Sequence, residues 1–253
     1  MGKVYFIGAG PGDPELITVK GQRLISEAGL VLYAGSLVPE AVIAGASKNA
    51  RVENSASMSL EETNKLMIEH ASKDEIVARV HTGDPALYGA VQEQARLLEQ
   101  AEVKYEVIPG VTSACAAAAA SSASFTVPGG TQTLILTRME GRTPVPENES
   151  LQKLAAHNSA MAIYLSAGNP SGIQEQLLAG GMKKDTPVIL GYRIGWPEET
   201  SVETTLENLA ETAQQNNFKR QTIFMILPGK DADSESLLYD AGFSHMFRDG
   251  KKD

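Results

Sequence analysis

The sequence predicts an α/β protein built on a mostly parallel sheet, and three observations carry this. Short apolar, β-prone runs alternate with helical patterns along the first half of the chain, the texture that βαβ units leave in a sequence. The first run holds Val4, Phe6 and Ile7 and is interrupted only by Tyr5, as a strand covered on both faces requires. Turns rich in Gly and Pro at 8–14, 83–89 and 109–113 each follow a strand. In a parallel sheet they gather beyond the carboxyl ends of the strands, where such sheets bind ligands.

The elements follow in order. After the first strand comes GAGPGDPE, in which Gly8, Gly10 and Gly12 allow close backbone approach while Pro11 and Pro14 stiffen the turn and remove two N–H donors. From Glu15 the spacing of Leu16, Val19, Leu24 and Ile25 predicts an amphipathic helix. Residues 30–33 (LVLY) form a second strand, running into the tight loop AGSLVP. Residues 51–59 give a short strand and a polar loop, and Ser59 with Glu62 makes a capping box for the helix opening at Leu60. The strand IVARV at 76–80 ends in HTGDPALYG, followed by a helix to about Glu99. Residues 105–108 are the next strand, closed by Pro109-Gly110, with Thr112 or Ser113 capping the alanine-rich helix behind it.

Around 123–131 the texture becomes turn-like and a second half begins. It holds strands at 133–137, 162–165, 188–192 and 222–227, an extended piece at 202–205, and helices at 170–178 and 206–214. The polar stretch 139–149 reads as a mobile surface loop. The tail from 231 scatters Leu237, Leu238, Phe243 and Phe247 without a pattern that assigns an element.

A chain of 253 residues is one large domain or two of ordinary size. Its 42% apolar and 21% charged residues are those of an ordinary soluble globular protein. A net charge of −9 opposes a nucleic-acid partner, which calls for a basic footprint. No signal-peptide pattern opens the chain, and the small-residue run at 114–123 is too short to span a bilayer; the expected setting is the cytoplasm, with no membrane partner. The one cysteine, Cys115, reads as packing within the alanine helix. Four scattered histidines (His70, His81, His157, His245) lack metal-ligand spacing, so no metal site is expected, and His81 reads as a core or surface residue beside the second turn.

The first turn resembles a dinucleotide fingerprint and departs from it where it matters. A GxGxxG loop offers N–H groups to a pyrophosphate. Here prolines stand in place of donors, and Asp13 and Glu15 sit where phosphates would. Those carboxylates repel an anionic cofactor. A small ligand without phosphate fits better than NAD.

Five segments in this order, GAGPGDPELIT, TGDPALYG at 82–89, IPGVTS at 108–113, YLSAG and YRIGWPEE, resemble the tetrapyrrole (corrin/porphyrin) methylases, S-adenosylmethionine (SAM)-dependent enzymes outside the Rossmann-like class. YAGSLVP at 33–39 and YR-x-x-WP at 192–197 are similar to the group within that family that methylates precorrin-4 at C-11 in cobalamin synthesis. The resemblance implies two α/β domains, here 1–122 and 123–253, with SAM at their interface, a homodimer, and a tetrapyrrole substrate. It implies cofactor contacts from Pro11, from the loop of Thr82, Gly83 and Asp84, from Leu87, and from Thr112 and Ser113. Leu165 stands where the family often has methionine, and Ile194 where many members have alanine or glycine.

Methyl transfer from a sulfonium needs alignment and a dry site rather than a nucleophilic side chain, and no motif names a catalytic base. A precorrin carries several carboxylates, so an acidic chain needs a local basic lining. Arg51, Arg138, Arg142 and Arg193 are the candidates, Arg193 foremost because it follows a strand in a family-like segment. Tyr33 and Ser36, in the YAGSLVP segment, are further candidate substrate contacts. A different tetrapyrrole, or ribosomal RNA for a 2′-O-methyltransferase of the same fold, are the alternative substrates; the charge of −9 opposes the second.

Overall fold

The computed structural model describes residues 2–230, 236, 238 and 240–249. It divides into two compact units: Met1–Ala116 with Arg193–Glu199, and Ala117–Tyr192 with Thr200–Asp253.

The first unit is a parallel sheet of β1 (Lys3–Gly8), β2 (Leu30–Tyr33), β3 (Arg51–Asn54), β4 (Ile76–His81) and β5 (Lys104–Ile108), in the order β3-β2-β4-β1-β5. Every pairing in it is parallel. Helices α1 (Val19–Glu27), α2 (Glu40–Ile43), α3 (Leu60–Ser72), α4 (Val91–Gln100) and α5 (Ser113–Ala120) connect the strands and lead out of the last. β1 and β4 lie inside the sheet, and Val4, Phe6, Ile7, Val77 and Val80 are fully buried. Each such side chain contributes about 1.5–3 kcal/mol of transfer free energy. One core, with Ile7, Leu24, Ile25, Val31 and Ile108, covers one face, and a second, with Phe6, Leu32, Met67 and Leu98, the other. The capping box at Ser59 and Glu62 is formed in both directions, at 3.2 and 2.7 Å.

The helix expected from Glu15 starts later. Pro14–Leu16 is a separate 3-10 turn capped by Asp13, and α1 opens at Val19 behind the cap Thr18, whose hydroxyl accepts the Gly21 N–H. Leu16 and Val19 are exposed, Val19 by 85%, so the apolar face is carried by Leu24 and Ile25 alone.

The second unit holds β6 (Leu134–Arg138), α6 (Leu151–Ala155), β7 (Ala160–Tyr164), α7 (Pro170–Ala179), β8 (Pro187–Tyr192), β9 (Thr200–Thr205), α8 (Leu209–Gln215) and β10 (Thr222–Ile226). Its sheet order is β6-β7-β10-β8-β9. Only β6 and β7 pair in parallel; the β7–β10, β10–β8 and β8–β9 pairs are antiparallel. The mostly parallel expectation therefore holds for the first unit and fails for the second. β8 and β9 form a hairpin whose connection, Arg193–Glu199, packs as part of the first unit.

Cys115 is exposed rather than packed, while its neighbours Ala114, Ala116 and Ala117 are buried. The tail forms no named helix or strand among its described residues, and Leu237 lies outside them. No helix among the described residues is long and apolar enough to cross a membrane.

Candidate functional site

The parallel register of the first sheet sets Gly8 beside His81 and Ile7 beside Ile108, so the three Gly/Pro turns leave from one edge. There they bond to one another. The Ala9 N–H donates to the His81 carbonyl at 2.7 Å, and Gly10 and Gly83 exchange N–H···O bonds at 3.3 and 2.8 Å. The third turn closes on both: a Cβ at Gly110 would stand 2.1 Å from the Gly83 oxygen and 2.7 Å from the Gly8 Cα. Only glycine permits that approach.

Asp84 ties the second turn to the third. One carboxylate oxygen accepts the Ala86 N–H at 2.8 Å and the other the Gly110 N–H at 3.0 Å. The side chain is half-buried and is a clamp, not a solvated turn residue. Thr82, Gly83 and Leu87, in the same loop, are half-buried as well. Gly83, at φ 61°, lies against Thr112, and a Cβ on it would be 3.8 Å from the Thr112 Cα. Ser113 is the first residue of α5, whose Ala116 N–H donates back to the Thr112 carbonyl at 3.1 Å.

The connection Arg193–Glu199 completes this edge. Gly12 faces the Trp196 ring so closely that a Cβ would meet its Cδ1 at 2.5 Å. Gly195, at φ 80°, packs on Pro11 and on the Asp13 backbone, where a Cβ would be 2.7 Å from the Asp13 nitrogen. The Gly195 N–H donates to Glu199 at 2.6 Å. Pro11 and Ile194 are buried, Ile194 at 6% exposure, so isoleucine is accommodated by packing. Arg193 stacks over Trp196, 4.5 Å from its ring centroid, and pairs with Glu198 at 3.1 Å.

His81 ends β4 beneath this edge, 5% exposed, with its Nε2 lacking a hydrogen-bond partner and the Phe6 ring 5.8 Å away. Burial, with the Arg79 charge added, pushes its pKa down to about 3. The imidazole is therefore neutral at pH 7. Because the folded pKa lies below the unfolded value of about 6.5, the stability this represents is complete above pH 6.5 and is lost as pH falls toward 3. Urea unfolding at stepped pH should show a loss approaching about 1.4 kcal/mol per pH unit below 6, with carboxylates adding to it in the acid range. In His81→Leu that histidine contribution should be gone.

The remaining candidates are placed less centrally. Tyr33, at the end of β2, is 7% exposed and joins the core, while Ser36 is exposed in the following loop. Arg51 is exposed and pairs with Glu53 at 2.8 Å. In the second unit, Arg138 folds onto its own loop, donating to the Thr143 and Pro144 carbonyls at 3.2 and 2.7 Å, and Arg142 is exposed. Leu165 follows β7, 69% exposed and at φ 53°. An exposed leucine in the left-handed region is costly to hold. The sequence reading placed the turn of Gly110 at this edge and missed Trp196 and Gly195 as parts of it. Each stood within a segment already singled out, but nothing local says which backbone a glycine approaches.

A family described as the tetrapyrrole (corrin/porphyrin) methylases matches residues 3–210. A cobalt-precorrin-4 C(11)-methyltransferase of Priestia megaterium is 47% identical, over 99% of both chains. The X-ray structure of a cobalt precorrin-4 methyltransferase, described as a cobalamin biosynthetic enzyme, superposes with a TM-score of 0.87 at 46% identity, covering 88% of this chain and 94% of the other. A uroporphyrin-III C-methyltransferase of Thermus thermophilus, in complex with S-adenosylhomocysteine, gives a TM-score of 0.74 at 29% identity, covering 89% and 97%. The chain, with its three glycine turns closed on one another at the edge of a parallel sheet, belongs to the tetrapyrrole methylases.

Proposed function

We propose that this protein is a SAM-dependent C-methyltransferase acting at C-11 of precorrin-4, or of its cobalt complex, to give the corresponding precorrin-5. The observation that carries the reading is 47% identity along the whole chain to a relative of that named activity. SAM as donor is supported by the solved relative that holds S-adenosylhomocysteine and by the chemistry of the edge. Asp13 and Asp84 lie in the turns, and Glu198 and Glu199 in the connection beside them, where Arg193 pairs with Glu198. That balance suits a sulfonium and an ammonium and repels a pyrophosphate.

SAM, when bound, supplies an already activated methyl group. The chain's share is position and dryness. Asp84 fixes the 83–87 loop to Gly110, the glycine contacts lock the turns onto one another, and buried Pro11 and Ile194 add apolar packing. Pro11, Thr82, Gly83, Asp84, Leu87, Thr112, Ser113, Leu165 and Ile194 are the proposed cofactor contacts, with Tyr33, Ser36 and Arg193 toward the substrate. Arg193 then exchanges Glu198 for a substrate carboxylate. We take the working form to be a homodimer in the cytoplasm, as the family implies.

The test is turnover. With precorrin-4 generated in situ, with and without cobalt, and methyl-deuterated SAM, the product should gain the mass of one labelled methyl. No gain in either series, with S-adenosylhomocysteine still bound, removes the precorrin-4 assignment and favours another tetrapyrrole.

A further inference from the structure

Behind the second turn lies a device that the cofactor edge does not use. Tyr88 and Ala90 both hold left-handed backbone, at φ 57° and 50°, on either side of Gly89, where a Cβ would strike the Pro85 oxygen at 2.4 Å. Two such residues in three are strained, and the surrounding structure must hold them there. It does so through a buried relay. Gln94, 3% exposed, donates to the Ala90 carbonyl at 3.2 Å and reaches the Gly89 carbonyl at 3.5 Å. The Gln94 side-chain oxygen accepts from Arg79 Nε at 3.0 Å. Arg79, 8% exposed, donates from Nη1 to Ser55 Oγ at 2.8 Å and toward the Leu32 carbonyl at 3.3 Å.

A guanidinium buried among neutral partners is expensive to keep. Its rigid fork fixes several groups at once, which an apolar residue in the middle of β4 would not do. What the relay holds up is Tyr88, 48% exposed on the wall of a cavity of about 620 Å3 whose lining also includes Pro85, Arg96 and Val107. That size falls within the range of small-molecule sites, and the lining joins an aromatic face to an exposed guanidinium, with the Glu93 carboxylate one turn of α4 before it.

We propose that Tyr88 is a specificity-determining substrate residue, its ring a platform for the flat face of a pyrrole unit with Arg96 meeting a peripheral carboxylate, and that Gln94 and Arg79 are positioning residues for it. This rests on the tetrapyrrole reading above and names which surface of the first unit takes the substrate.

The experiment uses the full chain and two ligands measured separately by calorimetry: uroporphyrin III, a stable macrocycle with carboxylate arms, and S-adenosylhomocysteine. Tyr88→Leu should weaken uroporphyrin binding about three- to tenfold and leave S-adenosylhomocysteine within about twofold. Tyr88→Phe, which keeps the ring face, should restore the affinity. Gln94→Leu should reproduce the loss, and the Tyr88→Leu/Gln94→Leu double variant should lose no more than either alone, the mark of two residues acting as one. Equal weakening of both ligands by Tyr88→Leu, or of neither, overturns the platform while the tetrapyrrole reading stands. If the unmodified chain binds S-adenosylhomocysteine but no tetrapyrrole, both fall.

Discussion

Gly110→Ala should destabilise the protein by about 3 kcal/mol or more and abolish cofactor binding. Overpacking is usually relieved by a rotamer change or a small shift. Here the new methyl would meet backbone on both sides, the Gly83 oxygen at 2.1 Å and the Gly8 Cα at 2.7 Å. Neither can rotate away. Gly8 ends β1 and Gly83 lies in the turn directly after β4, bonded to Gly10, and both strands are paired on both edges. Separating the turns would also pull Gly110 from the Asp84 oxygen it donates to. Against a total stability of about 5–15 kcal/mol, such a loss should appear as a large fall in the urea midpoint with the slope unchanged. Gly45→Ala is the control. It has no heavy atom within 4 Å of its Cβ position and should shift stability by no more than about 0.5 kcal/mol.

Asp84→Ala should lower the affinity for S-adenosylhomocysteine at least about tenfold and destabilise the protein by about 2 kcal/mol. Both carboxylate oxygens accept backbone N–H groups, Ala86 within the loop and Gly110 across to the third turn. Hydrogen bonds to a charged acceptor contribute about 1.5–3 kcal/mol each, reduced here because the loop is half-exposed. Asp84→Asn should not rescue. Asparagine keeps one acceptor oxygen and turns an NH2 group toward the second N–H, so one of the two contacts becomes donor against donor. Calorimetric titration and urea unfolding of the same samples separate the two effects. Full affinity in Asp84→Asn would mean that the carboxylate is not the tie between the turns.

The parts of this edge legible in the sequence were those written as strand followed by Gly/Pro turn. β1, β4 and β5 were readable from apolar runs, and Gly8, Gly83 and Gly110 stood at their ends; parallel pairing then made convergence a geometric consequence. The order of strands in the second unit was not legible in the same way. β-propensity identifies 188–192 and 222–227 as strands but carries no information on direction, and the helices α7 and α8 between β7, β8 and β10 stand where the crossovers of a parallel sheet would. The late start of α1 was written in Thr18, a residue suited to capping. The helical spacing of Leu16 and Val19 from Leu24 and Ile25 points to an earlier start, although both turn out exposed. The alanine helix has no polar side, so nothing in its sequence tells that Cys115 is exposed. Arg79 was visible as a charge inside the run IVARV, and that local conflict between a buried strand and a cation is the signal that points to the relay.

The measurement that tests the account most directly is the position of the transferred carbon. With SAM carrying a carbon-13 methyl and precorrin-4 made in situ, the product's carbon spectrum should show one enriched methyl attached at C-11, formed only when the enzyme is present. An enriched methyl at another ring position, or enrichment that does not depend on the enzyme, would contradict the assignment.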